Sequence, residues 1–244
     1  MEIKRIAHRG FSSEAPENTR VSFALALEGN FFGIECDIWR CADGNYVVSH
    51  DGHLKRMCGV DRWIPGMTMA EVTSYPILRG KKRSEHPVQY LISFREYLSI
   101  LARSDRMHPV IELKMDYTVD ELKEIECLVR QYDLYKRTFF ISMYPDVLMR
   151  LKERLKFPAE RLQYVYGVPR PIKTLPVDST LEAWLIQNRI HLDSRYTLIT
   201  PGTVMRLHKE GIQINVWTVN KREDIRRMIR MGVDMITTEY YYDK

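Results

Sequence analysis

Long apolar runs are missing from this 244-residue chain. No stretch approaches the roughly 18 consecutive apolar residues that a membrane span needs. The opening residues, Met1-Glu2-Ile3-Lys4-Arg5, lack the apolar stretch of a secretory leader. Cysteine is scarce: Cys36, Cys41, Cys58 and Cys127 show no Cys-x-x-Cys spacing and are too few for a disulfide scaffold. A strong charge of one sign is lacking too, since 37 Lys+Arg stand against 32 Asp+Glu for a net +5. That balance does not imply a nucleic-acid partner, though it suits an anionic small molecule. Repeats, low-complexity tracts and linkers are also absent. The expectation is a cytoplasmic protein without a transmembrane segment; oligomeric state is not legible.

What is present reads as globular: 45% hydrophobic and 28% charged residues. A chain of this size buries roughly 70–75% of its unfolded surface, enough for a real core. The whole of 1–244 reads as a single domain. Eight strand candidates follow one another: Ile3–Ala7, Gly33–Ile38, Val110–Leu113, Thr138–Met143, Leu162–Tyr166, His191–Ser194, Ile212–Val219 and Val233–Thr237. Helix starts lie between them. Ser93-x-x-Glu96, Thr118-x-x-Glu121 and Ser179-x-x-Glu182 match capping boxes, with a looser form at Asn220-x-x-Glu223. Thr200-Pro201 and Pro145-Asp146 supply further starts. Residues 45–49 read as an extra strand folded back through Asp43-Gly44. Strict strand–helix alternation predicts an α/β fold, and a count of eight favours a closed (β/α)8 TIM barrel over an open doubly wound sheet. Residues 52–92 break the alternation and read as a small insertion after the second strand.

Polar residues at the C-terminal ends of barrel strands carry the chemistry in such folds. The first strand ends in His8-Arg9-Gly10, and the second carries Glu35-Cys36-Asp37. Alternation puts both carboxylates on one face with Cys36 on the other. The hairpin strand ends in His50-Asp51 and the third strand in Glu112-Leu113-Lys114. Three gathered carboxylates repel one another and call for a hard cation. An all-oxygen set favours Ca²⁺ or Mg²⁺ over zinc. Two histidines suit general acid–base work, Arg9 offers a planar fork for phosphate oxygens, and Lys114 adds a compact charge. Together these suit attack at phosphorus. Taken singly, each has a blander reading. His8 alone is structural, Glu35 and Asp37 alone are solvated strand residues, Glu112 with Lys114 is an ion pair, and Asp51 is a turn residue. His53, His86, His108, His191 and His208 have no acidic neighbour at ligand spacing and read as surface or core. The run Lys81-Lys82-Arg83 reads as solvated loop.

The joint pattern resembles the glycerophosphodiester phosphodiesterase family. His8-Arg9-Gly10, Ala15-Pro16-Glu17-Asn18-Thr19, Glu35-x-Asp37, Asp43-Gly44 and His50-Asp51 carry the resemblance. Ile111-Glu112-Leu113-Lys114, Asn215-Val216-Trp217-Thr218-Val219-Asn220 and the segment Gly232 to Thr238 extend it. The resemblance implies one divalent cation, Ca²⁺ or Mg²⁺, held by Glu35, Asp37 and Glu112. It implies a catalytic histidine pair, His8 and His50, with Arg9 and Lys114 on the phosphate and Trp217 lining the substrate site. The implied reaction is hydrolysis of a small-molecule glycerophosphodiester to an alcohol and glycerol 3-phosphate, by attack of the substrate's own 2-hydroxyl or of water.

The chain departs from the family pattern after His50-Asp51, before the second helix, and in ending its last strand Thr238-Glu239-Tyr240. Those departures shape the mouth and leave the head group open. A lysophospholipase D-type activity is the alternative, with Trp63, Ile64, Met67 and Met69 as its candidate apolar groove. A barrel that binds phosphorylated ligands without catalysis is the third reading, opposed by the presence of every acidic and histidine position.

Overall fold

Parallel strands cannot be joined by tight turns, so each return must pass through a crossover that covers the sheet. The computed structural model, which describes residues 3–167 and 175–241, has that architecture. Its strands are β1 (Lys4–Ala7), β2 (Gly33–Arg40), β3 (Tyr46–Val48), β4 (His108–Leu113), β5 (Phe139–Ser142), β6 (Leu162–Tyr166), β7 (His191–Arg195), β8 (Ile214–Trp217) and β9 (Met235–Thr238). All but β3 are parallel. β1 pairs with β9 through Lys4↔Met235 to Ala7↔Thr238 and with β2 through Ile6↔Gly33, which closes an eight-stranded barrel. β3 runs antiparallel on the end of β2, Ile38 opposite Val48 and Arg40 opposite Tyr46, as the Asp43-Gly44 turn predicts.

The crossover helices are α1 (Arg20–Glu28), then, past the short α2 (Lys55–Cys58) and α3 (Met69–Val72), α4 (Phe94–Leu101), α5 (Val119–Gln131), α6 (Pro145–Arg154), α7 (Ser179–Asn188), α8 (Pro201–Lys209) and α9 (Arg222–Met231). Thr118 caps α5 in a full box with Glu121, and the Ser93 hydroxyl accepts the Glu96 N–H at 3.2 Å, each such cap being worth about 1 kcal/mol. Two expected boxes differ. At α7 the cap is Asp178, whose Oδ1 accepts the Leu181 N–H at 2.9 Å. Glu182 is drawn away to Arg206, which donates to it at 2.6 and 2.8 Å. At α9 the N-cap is Lys221, because Asn220 Oδ1 accepts the Glu239 N–H at 3.0 Å. At α7 a neighbouring local cap replaces the expected one, and at α9 a tertiary partner takes the cap's oxygen.

Alternation splits the strands between two cores. Ile34, Cys36 and Ile38 of β2 point outward to the helices, while Ile6, Val110, Phe139, Ile141, Val165 and Met235 fill the barrel. The insertion builds its own small core from Leu54, Met57, Cys58, Ile64, Met67, Val72, Ile77 and Leu91 against Cys41 and Val47. Ile64 and Met67 are therefore packed inside and cannot line an apolar groove, a correction to the expectation from sequence. Trp63 is exposed and Met69 only partly buried. Among the described residues no helix is long and apolar enough to cross a membrane.

Candidate active site

The His8-Arg9-Gly10 turn directs the first loop. Gly10 has φ +78°, and a Cβ there would stand 2.5 Å from Ser22 Oγ, so only glycine fits. Arg9 is itself left-handed (φ 55°), which swings its N–H onto Glu35 Oε2 at 2.7 Å. The segment Pro16-Glu17-Asn18-Thr19 then divides its work. Glu17 accepts from Arg9 Nη1 at 2.9 Å, Asn18 Nδ2 donates to Asp37 Oδ2 at 2.9 Å, and Thr19 caps α1.

Register brings the carboxylates together. Glu35 and Asp37 share the inner face of β2, and Asp37 lies opposite Glu112 on β4. One oxygen from each of the three falls within 4.8 Å of the others, all buried. Lys114 Nζ donates to Glu112 Oε1 at 3.0 Å and lies 3.3 Å from Asp37 Oδ1, yet that Oδ1 has no partner in hydrogen-bonding geometry. An orphaned buried carboxylate oxygen within an all-oxygen triplet fits a hard divalent cation.

The electrostatics of the triplet are uneven. Burial alone would raise the Asp37 carboxyl, but Lys114, Arg9 and the Asn18 hydrogen bond outweigh it and hold it well below the usual carboxylate range. Burial and the neighbouring Asp37 push Glu35 well above it. Burial raises Glu112 as well, against the pull of Lys114. A cation would offset the burial penalty and the repulsion that together keep the two high.

Two imidazoles flank this group. His50 Nδ1 lies 2.7 Å from Asp51 Oδ1, and Asp51 Oδ2 accepts from Arg56 Nε. Burial opposes ionisation of Asp51, but His50 and Arg56 hold its carboxyl far below the usual range, so Nδ1 faces a carboxylate and is the ring's donor to it. Arg56 also donates to Glu17 at 2.7 and 3.1 Å, which links His50 to Arg9 through three intervening side chains. His8 Nδ1 is 3.6 Å from Glu239 Oε1, and burial, then the Arg9 charge, lower its basicity.

His8, Arg9, Glu35, His50, Glu112, Lys114 and Trp217 line one cavity of about 140 Å³, and Asp37 lies beneath it on the Glu35 face. All eight residues singled out in the sequence are thus brought to one end of the barrel. Larger clefts of about 500 and 690 Å³ lie outside the barrel and gather no comparable chemistry. Asp51 is no mere turn residue, and Glu17, Asn18, Arg56 and Glu239 were not singled out for the site. Only Asn18 and Glu17 had a signal, their place in the Pro-Glu-Asn segment. His53 and His208 also gain acidic partners, Asp61 at 2.9 Å and Asp234 at 2.8 Å, through contacts no sequence spacing shows. Lys81, Lys82 and Arg83 are exposed, as a solvated loop would be, and Lys82 pairs with Glu14 there.

A (β/α)8 barrel whose mouth sets a carboxylate triplet against Arg9 and Lys114 has the charges that hydrolysis of a phosphoric ester calls for. The chain is a member of the glycerophosphoryl diester phosphodiesterase family, whose model matches residues 8–241. It is 29% identical over 247 residues to a glycerophosphodiester phosphodiesterase of Caldanaerobacter subterraneus subsp. tengcongensis, across 98% of this chain and 95% of that one. It is 24% identical over 267 residues to a human lysophospholipase D, across 98% of this chain and 82% of that one. A phosphodiesterase of Oleispira antarctica, solved in complex with the product sn-glycerol-3-phosphate, has a TM-score of 0.84 at 22% identity, across 97% of this chain and 93% of that one. This chain is accordingly a phosphoric diester hydrolase.

Proposed function

We propose that the protein hydrolyses glycerophosphodiesters to an alcohol and glycerol 3-phosphate with the help of one divalent cation. The observation that carries this reading is the buried triplet of Glu35, Asp37 and Glu112, with ligand atoms within 4.8 Å of one another, beside two histidines in one cavity. Glu35, Asp37 and Glu112 would hold Ca²⁺ or Mg²⁺, which when bound supplies Lewis-acid neutralisation of phosphoryl charge. Arg9 and Lys114, already aligned by Glu17, Asp37 and Glu112, would orient the phosphate and offset charge on its equatorial oxygens. His8, kept neutral by burial and by Arg9, is suited to take the proton of the attacking hydroxyl. His50, whose imidazolium Asp51 would stabilise, is suited to protonate the leaving alkoxide. The Trp217 indole, held by its Nε1 donating to the Asp193 carbonyl at 3.2 Å, would wall the glycerol. The single domain 1–244 and a cytoplasmic setting belong to the same proposal, the latter supported by free thiols at Cys36, Cys41, Cys58 and Cys127.

Release of glycerol 3-phosphate from glycerophosphocholine tests the reading. EDTA is expected to abolish it and added Mg²⁺ or Ca²⁺ to restore it; no product with either ion removes the proposal. Lysophosphatidylcholine run beside it tests the lysophospholipase D reading, favoured by the human relative and weakened by the burial of Ile64 and Met67. Asp51→Ala is expected to lower kcat on the order of 10²-fold with KM little changed, as loss of a histidine-orienting carboxylate does. A KM effect alone would show that Asp51 does not act through His50.

A further inference from the structure

Arg9, Lys114 and the triplet of Glu35, Asp37 and Glu112 stand on one half of the barrel mouth, at the ends of β1, β2 and β4. The other half of the cavity is lined by Ile141, Val165, Asp193, Trp217, Thr218 and Thr237. Ile141, Val165 and Trp217 form its apolar wall, and one of the polar groups set among them is anomalous. Asp193, on β7, is 2% exposed, yet its Oδ1 has no hydrogen-bond partner among the described residues. The Thr237 hydroxyl, by contrast, is engaged in the cavity floor with Asn215 at 3.0 and 3.3 Å.

A buried carboxyl without a partner costs folding free energy, and such a group persists where something outside the fold completes it. Burial and, behind it, the Glu112 charge push the Asp193 carboxyl well above the usual carboxylate range. An alcohol both donates and accepts, so it completes an unpartnered carboxyl oxygen in either protonation state. A second cation would find a poor seat here, since Asp193 is the one carboxyl among the described residues lining this half and the Thr237 hydroxyl is engaged with Asn215. With the phosphate drawn to Arg9 and Lys114 on the opposite half, the group that reaches Asp193 is the hydroxyl-bearing end of the substrate.

We propose that Asp193 is a specificity-determining residue that hydrogen-bonds the glycerol hydroxyls of the substrate against the Trp217 wall. This rests on the phosphodiesterase reading above and names a contact within it. Asp193 selects for the polyol; it takes no part in the proton transfers. Its position makes a plain phosphate monoester without hydroxyls a poor ligand, because the carboxyl then stays unpaired.

Calorimetric titration with sn-glycerol 3-phosphate and with propyl phosphate, which lacks both hydroxyls, tests this in the presence of Mg²⁺. The wild-type chain is expected to prefer glycerol 3-phosphate by about 10²-fold, the scale of discrimination by a buried polar partner. Asp193→Ala is expected to lose most of that preference through weaker glycerol 3-phosphate binding, with propyl phosphate affinity unchanged or improved. Asp193→Asn, an isostere that also donates and accepts, is expected to keep most of it, and a thermal melt of each variant reports the fold. An Asp193→Ala chain that retains the wild-type preference, or that loses affinity equally for both ligands, overturns the assignment. Because the readout is equilibrium binding, it stands apart from the turnover assay: wild-type hydrolysis of glycerophosphocholine with an unchanged preference in Asp193→Ala removes this contact alone.

Discussion

His50→Ala is expected to lower kcat on glycerophosphocholine by about 10²–10⁴-fold, the contribution of a positioned acid–base group. His8→Ala is expected to do the same. The two rings sit in different settings, and the variants should differ in everything but that loss. His50 is half-exposed and gives up one hydrogen bond to Asp51 when removed, so its variant should melt within a few degrees of wild type. Its loss leaves Asp51 still paired with Arg56. His8 is partly buried beside Glu239, and its removal opens space at the end of β1 while leaving the backbone bond from the His8 N–H to the Thr238 carbonyl in place. If both rings serve one sequence of proton transfers, the double variant should lose hardly more than either single one. Near-normal turnover in either single variant, with the fold intact, removes that histidine from the pair.

Glu35→Gln is expected to abolish cation-dependent turnover and to weaken calorimetric Mg²⁺ or Ca²⁺ binding by about 10²-fold or more, beyond what loss of an outer-shell partner costs. Its effect on the cation-free fold has the opposite sign. Burial and Asp37 raise the Glu35 carboxyl above its unfolded value, so the folded state holds that proton more tightly than the unfolded one. The resulting penalty is absent below the unfolded pKa of about 4.3 and grows as pH rises towards the folded pKa. Asp37 works the other way: its carboxyl is depressed, and the stability it contributes is present above about pH 3.9 and lost as pH falls through its folded value. At neutral pH the amide therefore relieves a repulsion, and cation-free Glu35→Gln should melt at or above the cation-free wild type. Cation at 100 times Kd should stabilise the wild-type chain by ~2.7 kcal/mol. For a chain of this size that corresponds to a rise of about 5–10 °C in Tm. The variant should show no such rise at the same concentration. A Glu35→Gln chain that titrates with cation as the wild type does removes Glu35 from the ligand set.

The alternation of strands and capped helices determined the barrel, because the period of two and the cap-plus-carboxylate signals are written within a few residues of each element. The same period of two placed Glu35 and Asp37 on one face, and strand ends placed His8, His50, Glu112 and Lys114 at one rim. Local signals erred where a distant partner competed for the same atom, as when Asn220 turned to the Glu239 N–H and Glu182 to Arg206. The meeting of Asp37 with Glu112 was set by the β2–β4 register, and the link from His50 through Asp51, Arg56 and Glu17 to Arg9 by the path of two loops. Asp193 carries no sequence signal at all: it sits between Leu192 and Ser194 as any inward strand residue would, and only closure of the ring faces it across the cavity from the cations. Residue types and their spacing decide which side chains share a face, whereas the contacts between faces depend on register, closure and loop path, which are properties of the whole chain packed at once.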